Sequence, residues 1–297
     1  RSTAIGYRAL GTQRFTSSTD SHNTAVGYDA GLEITTGTQN TLIGGLAGDA
    51  VTTGTDNVAV GYLALSANQT GGNNTAVGSE ALEANTGGNN TGTGYKAMHA
   101  NTSGTNNTGV GSFSLASNTT GNSNTAIGND CMDSNTTGSN NTAVGVDALQ
   151  ANTTGAENTA VGDQALTANT TAVRNTCVGF ISGTALTTGA ANVAVGDNAL
   201  KTATTVSNCA ALGTYSLAEL TTGVQNTCIG SASGEKITTG NNNTILGRYS
   251  GNQGGLDIRT LNNNIVLADG AGNVKYNHDG ANNTTHLAGV TGSFTTD

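Results

Sequence analysis

The groups in this 297-residue chain able to do covalent, metal or acid–base chemistry are four cysteines, four histidines and a recurring set of carboxylates. Cys131, Cys177, Cys209 and Cys228 form no Cys-x-x-Cys pair and no Cys/His cluster, the spacings a zinc site needs. They read as free small hydrophobes. His22, His99, His278 and His286 are scattered without metal spacing and read as solvated residues; His278 and His286 are expected to face each other across a hairpin at most. Asp29, Glu80, Asp130 and Asp147 recur two places after a repeated glycine, a lateral arrangement a glycosidase requires of its carboxylate pair. Polar turns at a solvated edge account for them more simply. Asp269-Gly270-Ala271-Gly272-Asn273 hints at a cation loop but lacks the sustained Gly/Asp repeats of calcium rolls. No catalytic, cofactor-binding or metal-binding residue is therefore assigned.

What must position these groups is an unusual chain. Thr, Gly and Asn make up nearly half of it, Pro and Trp are absent, and aromatic residues are 4%. A central core of large side chains is poorly supported by such a composition. Low charge and the lack of Pro argue against disorder, and the lack of a three-residue Gly period argues against collagen. The net charge of −9 argues against nucleic acid as a partner. No apolar run reaches the length of a membrane span and no signal peptide opens the chain.

Internal repetition dominates. The block Asn-Thr-Ala-Val-Gly recurs with its glycine at Gly6, Gly27, Gly44, Gly61, Gly78, Gly94, Gly111, Gly128, Gly145, Gly162, Gly179, Gly196, Gly213, Gly230 and Gly247. The spacing is 17 except for 21 after the first copy and 16 between Gly78 and Gly94. Each copy reads as a short strand such as Asn74 to Gly78, a small residue followed by Leu, and a polar turn such as Asn135 to Gly138. In the strand, Thr75 and Val77 point one way and Asn74, Ala76 and Gly78 the other. Seventeen residues with two turns leave room for two strands of about four or five residues.

One large aliphatic group is kept per copy. Leu65, Leu82, Met98, Leu115, Met132, Leu149 and Leu166 stand four places after the glycine, with Asn at the seventh place. Where the fourth place is Gly31, Gly48, Gly183 or Gly234, the seventh is Ile34, Val51, Leu186 or Ile237. Both places are expected to reach one interior volume; only the copy with Leu217 and Leu220 keeps both. The all-β architecture that follows is a parallel β-solenoid over residues 1–251, about fifteen rungs, ~70 Å long at ~4.8 Å per rung. The Asn column from Asn23 to Asn243 is expected to form an amide ladder.

The Asn-Thr-Ala-Val-Gly runs at Asn141 to Gly145 and Asn158 to Gly162 resemble the YadA-like head repeats of trimeric autotransporter adhesins, also found in phage tail-fibre proteins. The resemblance implies a left-handed β-roll in which three chains associate side by side. Thr75, Thr108 and Thr142 stand where the family usually carries an aliphatic residue, and the family's period is usually shorter. Residues 252–297 change character: Asn264 to Ala268 reads as a strand, Asp269 to Asn273 as a turn and Val274 to His278 as a returning strand. This segment resembles the part of phage tail proteins just before a self-cleaving chaperone. The end at Asp297 shows no membrane-anchor barrel, which tilts the reading towards a virion.

The expected function is a structural tail-fibre shaft without catalysis that assists host-surface attachment. Its expected partners are its own copies in a homotrimer, other virion or fibre proteins, and a host glycan or protein receptor, with no nucleic acid and no membrane insertion. Stripes of Ala76, Ala126, Ala143 and Ala160 are expected to let sister chains approach closely. The alternative is a bacterial cell-surface trimeric adhesin. A depolymerase tailspike and an ice-binding solenoid rank lower, the latter because the Thr-x-Thr array is broken by residues such as Val77. The Asn-x-Thr triplets follow from turn chemistry and carry little information as glycosylation signals. Tyr7, Tyr28, Tyr62 and Tyr95, just after the glycine, are expected to shield a corner rather than stack on sugars.

Overall fold

The computed structural model describes residues 1–14 and 20–287, and the backbone of the short strand Phe294–Thr295. The fold is all-β with no helix among the described residues, a parallel β-solenoid of about 15 turns ~17 residues apart. The chain divides into two units, Arg1–Thr154 and Gly155–Asp297.

In the first unit, nine strands of three residues follow one another: β1 (Thr3–Ile5), β2 (Thr24–Val26), β3 (Thr41–Ile43), β4 (Val58–Val60), β5 (Thr75–Val77), β6 (Thr91–Thr93), β7 (Thr108–Val110), β8 (Thr125–Ile127) and β9 (Thr142–Val144). Each pairs in parallel with the next, and equivalent residues meet: Thr75 with Thr91, Ala76 with Gly92, Val77 with Thr93. The motif glycine permits this register. It adopts φ near 140°, and a β-carbon on Gly128 would stand 2.2 Å from the carbonyl oxygen of Gly145. No other residue fits there.

The second unit continues the pattern in β10 (Thr159–Val161), β11 (Thr176–Val178), β12 (Val193–Val195), β13 (Ala210–Leu212), β14 (Thr227–Ile229) and β15 (Thr244–Leu246). A small antiparallel hairpin, β16 (Asn252–Gln253) with β17 (Leu256–Asp257), then projects before the chain returns. The expected tail strand is β18 (Asn264–Ala268), which pairs in parallel with β15, and the expected returning strand is β19 (Val274–Asp279), antiparallel to β18. β20 (Thr284–Leu287) and β21 (Phe294–Thr295) extend that antiparallel end.

Two strands per rung were expected; the structure has one. The Ala-Leu half of each rung is a chain of tight turns whose alternate residues sit in the left-handed region, such as Glu80 (φ 58°) and Leu82 (φ 52°). That conformation costs an ordinary side chain ~1 kcal/mol or more. Two things offset it. Complete burial of Leu82 contributes about 2 kcal/mol. The backbone stays bonded between rungs, Glu80 N–H donating back to Tyr62 O (2.8 Å) and Leu82 N–H forward to Ala97 O (2.9 Å).

The amide ladder is present. In the first unit Asn23, Asn40, Asn57, Asn74, Asn90, Asn107, Asn124 and Asn141 are all buried. Each Asn Oδ1 accepts from the backbone N–H of the next Asn, as Asn124 does from Asn141 (3.0 Å), and Asn124 Nδ2 donates to Gly138 O (2.8 Å). A second ladder, unforeseen, runs through the seventh-place residues: Asn101 Nδ2 donates to Asn85 Oδ1 (2.6 Å), Asn118 to Asn101 (2.7 Å) and Asn135 to Asn118 (2.8 Å). In the second unit Cys209 interrupts the first ladder. Its backbone accepts the geometry, N–H donating to Asn192 Oδ1 (3.0 Å), while its thiol reaches Gly223 O only at 3.7 Å.

The shared interior slot is also confirmed. A β-carbon on Gly31 would meet Ile34 Cδ1 at 3.1 Å, and one on Gly183 would meet Leu186 Cδ1 at 3.2 Å. A third contributor is the middle residue of the strand: Leu42 Cδ2 lies 2.7 Å from such an atom on Gly48, and Cys177 Sγ 2.6 Å from one on Gly183. Conversely, Gly92 and Gly109 occupy the strand middle where Leu82 and Met98 press against it. Leu220 obeys the rule after all. Its Cδ1 lies against Gly223 where other rungs place the second-ladder amide, as Asn118 does against Gly121, so it replaces an amide and not a core group.

Two outcomes follow from this packing. Cys209→Asn restores the missing amide and raises unfolding stability by about 1 kcal/mol, read from urea denaturation. Leu42→Ala costs about 3 kcal/mol, and adding Gly48→Leu recovers part of the loss, although Gly48→Leu alone destabilises by collision with Leu42.

Candidate functional site

Because the interior is filled, candidate chemistry has to sit on the outward columns. The four cysteines are interior, buried and unpaired. Burial pushes the thiols of Cys131 and Cys177 up to about 12 and raises those of Cys209 and Cys228 as well. Thiols held protonated in this way are poor nucleophiles and poor metal ligands.

The carboxylates two places after the glycine share one column, but only Asp130 and Asp147 stand in successive rungs of it. Asp29 is buried against Arg8 (3.6 Å). Asp147 Oδ1 accepts from Gln150 Nε2 (3.1 Å) and Asp130 Oδ2 from Asn129 Nδ2 (2.5 Å). Glu80 belongs to a cluster that the linear spacing concealed. Glu83 and His99 hold the same repeat place in successive rungs, as do Glu80 and Lys96, so the four side chains meet. Lys96 Nζ lies 3.3 Å from Glu80 Oε2, and His99 Nδ1 lies 3.0 Å from Glu83 Oε2 and 4.0 Å from Glu80 Oε2. Glu80, Glu83 and His99 are the one group of three donors close enough to hold a metal ion among the described residues. Within the cluster the Glu80 carboxylate already has the Lys96 ammonium, whose pKa it raises by hydrogen bonding. His99, read as scattered without metal spacing, is thus corrected to a member of a quartet with Glu80, Glu83 and Lys96.

The tail histidines are also corrected. In the β19–β20 ladder His278 pairs with Thr285, its Nδ1 2.9 Å from Thr285 Oγ1, while His286 pairs with Asn277. Adjacent strand residues point to opposite faces, so His278 and His286 stand back to back. Asp269 closes the expected turn: its carboxylate accepts from Ala271 N–H (3.0 Å), Asn273 N–H (2.9 Å) and Lys275 Nζ (3.1 Å). These donors hold its pKa well below the usual carboxylate range, with Asn273 the largest contributor. An open pocket of about 470 Å³ beside this hairpin is lined by Leu256, Val274, Asn277, His286 and Leu287.

An apolar column lies on the outward side of the strands. Val77, Ile127 and Ile43 are about two-fifths exposed, and in the second unit Leu212, Ile229 and Leu246 hold the same repeat place and are exposed as well. A neighbouring file carries Thr24, Thr41, Thr75, Thr91, Thr108, Thr125 and Thr142. The face in the first unit is therefore Thr-x-Val or Thr-x-Ile at most rungs, free of charge, with a Thr-x-Thr pair at β6. The alanines of the expected close-approach stripe lie elsewhere. Ala76, Ala126, Ala143 and Ala160 are fully buried inside their own rungs, because they occupy the inward place of the alternation. Tyr7, Tyr28, Tyr62 and Tyr95 are 46–65% exposed.

Compared with family models, curated proteins and solved structures, the chain matches none of them. No helix among the described residues is long and apolar enough to cross a membrane.

Asp133 offers a check on the edge electrostatics. Partial burial, and then the Asp130 charge, raise its pKa. A carboxyl raised in the fold contributes stability below its unfolded pKa and loses it as pH rises through the folded value. Asp133→Asn is therefore expected to raise Tm at neutral pH and to change it little in acid, where the carboxyl is already protonated.

Proposed function

We propose that this chain is a non-enzymatic fibre protein of a virion, a β-solenoid shaft that assembles as a homotrimer and contributes to attachment at a host surface. The β-solenoid fold is compatible with a structural fibre or adhesin. The observation that carries the reading is the uncharged Thr/Val face, repeated rung after rung with β-branched side chains turned to solvent. Contiguous exposed apolar surface of this kind marks a protein interface. A closed assembly of identical chains covers such a face with no further component. In this arrangement the outer columns are displayed three times over, and weak surface contacts gain avidity. The buried, protonated cysteines and the pairing of Asp29 with Arg8 and of Glu80 with Lys96 are consistent with a role that needs no reacting group.

Sedimentation of the full chain is expected to give the mass of three copies. Val77→Asp with Ile127→Asp places charges on the face without touching the interior, and should yield monomers with an unchanged β-sheet circular dichroism spectrum. A wild-type chain that sediments as a monomer refutes the assembly.

A further inference from the structure

Four exposed tyrosines, Tyr7, Tyr28, Tyr62 and Tyr95, belong to one column, the place just after the motif glycine. Reading that column rung by rung from Gly27 gives Tyr28, Gly45, Tyr62, Ser79, Tyr95 and Ser112, a strict alternation of an aromatic ring with a small residue. One rung earlier, Tyr7 stacks on Tyr28 with ring centres 5.5 Å apart and planes 10° from parallel. Tyr62 reaches across the small residue before it, since a β-carbon on Gly45 would lie 3.6 Å from its Cδ2. All of these residues lie in the first unit. At ~4.8 Å per rung, successive platforms at Tyr28, Tyr62 and Tyr95 are ~9.6 Å apart, fixed by backbone hydrogen bonds.

We propose that this column is a binding platform for an uncharged, extended β-1,4-linked glycan. The inference deepens the attachment role proposed above, to which it supplies a ligand class. In an extended β-1,4 chain each pyranose is turned over relative to the last, so every second ring presents the same C–H face. The length of such a disaccharide matches the two-rung interval of the tyrosines. Stacking on Tyr7 leaves Tyr28 one face for a sugar, and Tyr95, which meets Phe113 edge to face with ring centres 5.3 Å apart, offers what that contact leaves open; the small residues between the tyrosines leave room for the intervening sugars. Charge selects a neutral chain. Arg8 stands 6.0 Å from the Tyr7 ring and Lys96 5.4 Å from the Tyr95 ring, but Arg8 is paired with Asp29 and Lys96 with Glu80. The platform therefore offers no free cation to an acidic sugar. An α-1,4 chain, which coils, cannot keep register with a straight column.

The test uses the full chain and titrates cello- and chito-oligosaccharides of increasing length, with malto-oligosaccharides alongside, by calorimetry and by tyrosine fluorescence. The chain has no Trp, so that emission reports the tyrosines alone. Affinity should rise with length until the sugar spans Tyr28 to Tyr95, ~19 Å. Tyr62→Ser should weaken it roughly tenfold, whereas Tyr215→Ser, exposed in the second unit, should not change it. Thermal unfolding of each variant verifies that the rungs are intact. Absence of saturable binding, equal binding by Tyr62→Ser, or equal binding of malto-oligosaccharides overturns the proposal. So does a Tyr62→Ser chain that loses self-association but keeps its affinity for sugar. Sedimentation of the same samples separates the two readings. A trimer that ignores β-1,4 glycans refutes the platform alone, and a monomer that binds them refutes the assembly alone.

Discussion

Within each unit, the backbone of one rung stands where the neighbouring rung's glycine lacks a side chain. A β-carbon on Gly78 would lie 2.3 Å from the carbonyl oxygen of Gly94, and the same holds along both units. This contact fixes the register, and the register fixes the rest. Once Gly78 faces Gly94, Asn74 must face Asn90 and Ala76 must face Gly92, so like side chains stack on like. Buried amides are tolerable only under that condition. An isolated buried Asn leaves unsatisfied groups costing several kcal/mol. In the first ladder Oδ1 meets the backbone N–H of the next rung and Nδ2 meets a carbonyl, as Asn107 Oδ1 accepts from Asn124 N–H and Asn124 Nδ2 donates to Gly138 O.

The same constraint explains why the interior is volume-regulated without being conserved position by position. Three places in a rung point at one space: the strand middle, the fourth place and the seventh. Leu42 with Gly48, Ala76 with Leu82, and Cys177 with Gly183 and Leu186 are different divisions of similar volume. Interiors packed to crystal density permit such exchanges but not their sum. No room is left for a cleft within a rung, and the thiols enclosed there are held protonated. Chemistry is displaced to the outward columns, where each residue is supported by a backbone that does not depend on it.

Much of this could be read from the chain. The period, the inward and outward sides of the strand, the Asn23 to Asn243 amides and the tail strand, turn and returning strand all follow from spacing and alternation. The second half of the rung did not, because Leu82 and its equivalents adopt left-handed backbone conformations that side-chain propensity argues against. Their burial and the rung-to-rung bonds outweigh that cost. The Glu80, Glu83, Lys96 and His99 quartet was hidden for another reason. Its members are unremarkable in linear spacing and become neighbours only when places in successive rungs are overlaid. Leu220 shows the converse, a sequence exception that ceases to be one when its side chain is seen in the amide slot.

A fold in which most columns are dictated carries its individuality in the few that are not. The place after the motif glycine is one of these. In the first unit it alternates tyrosine with Gly or Ser from Tyr28 to Ser112 and then carries Asn129 and Val146, whereas in the second it runs Asp163, Phe180, Asp197, Thr214, Ser231 and Arg248. Neither set alters the hydrogen bonds beneath it, since Leu46 donates to Tyr28 O as Tyr215 does to Asp197 O, both at 2.9 Å. The backbone is thus indifferent to what it displays there, and its hydrogen bonds are not the reason for the alternation. What distinguishes one rung from another on that column has to be sought in what the column touches.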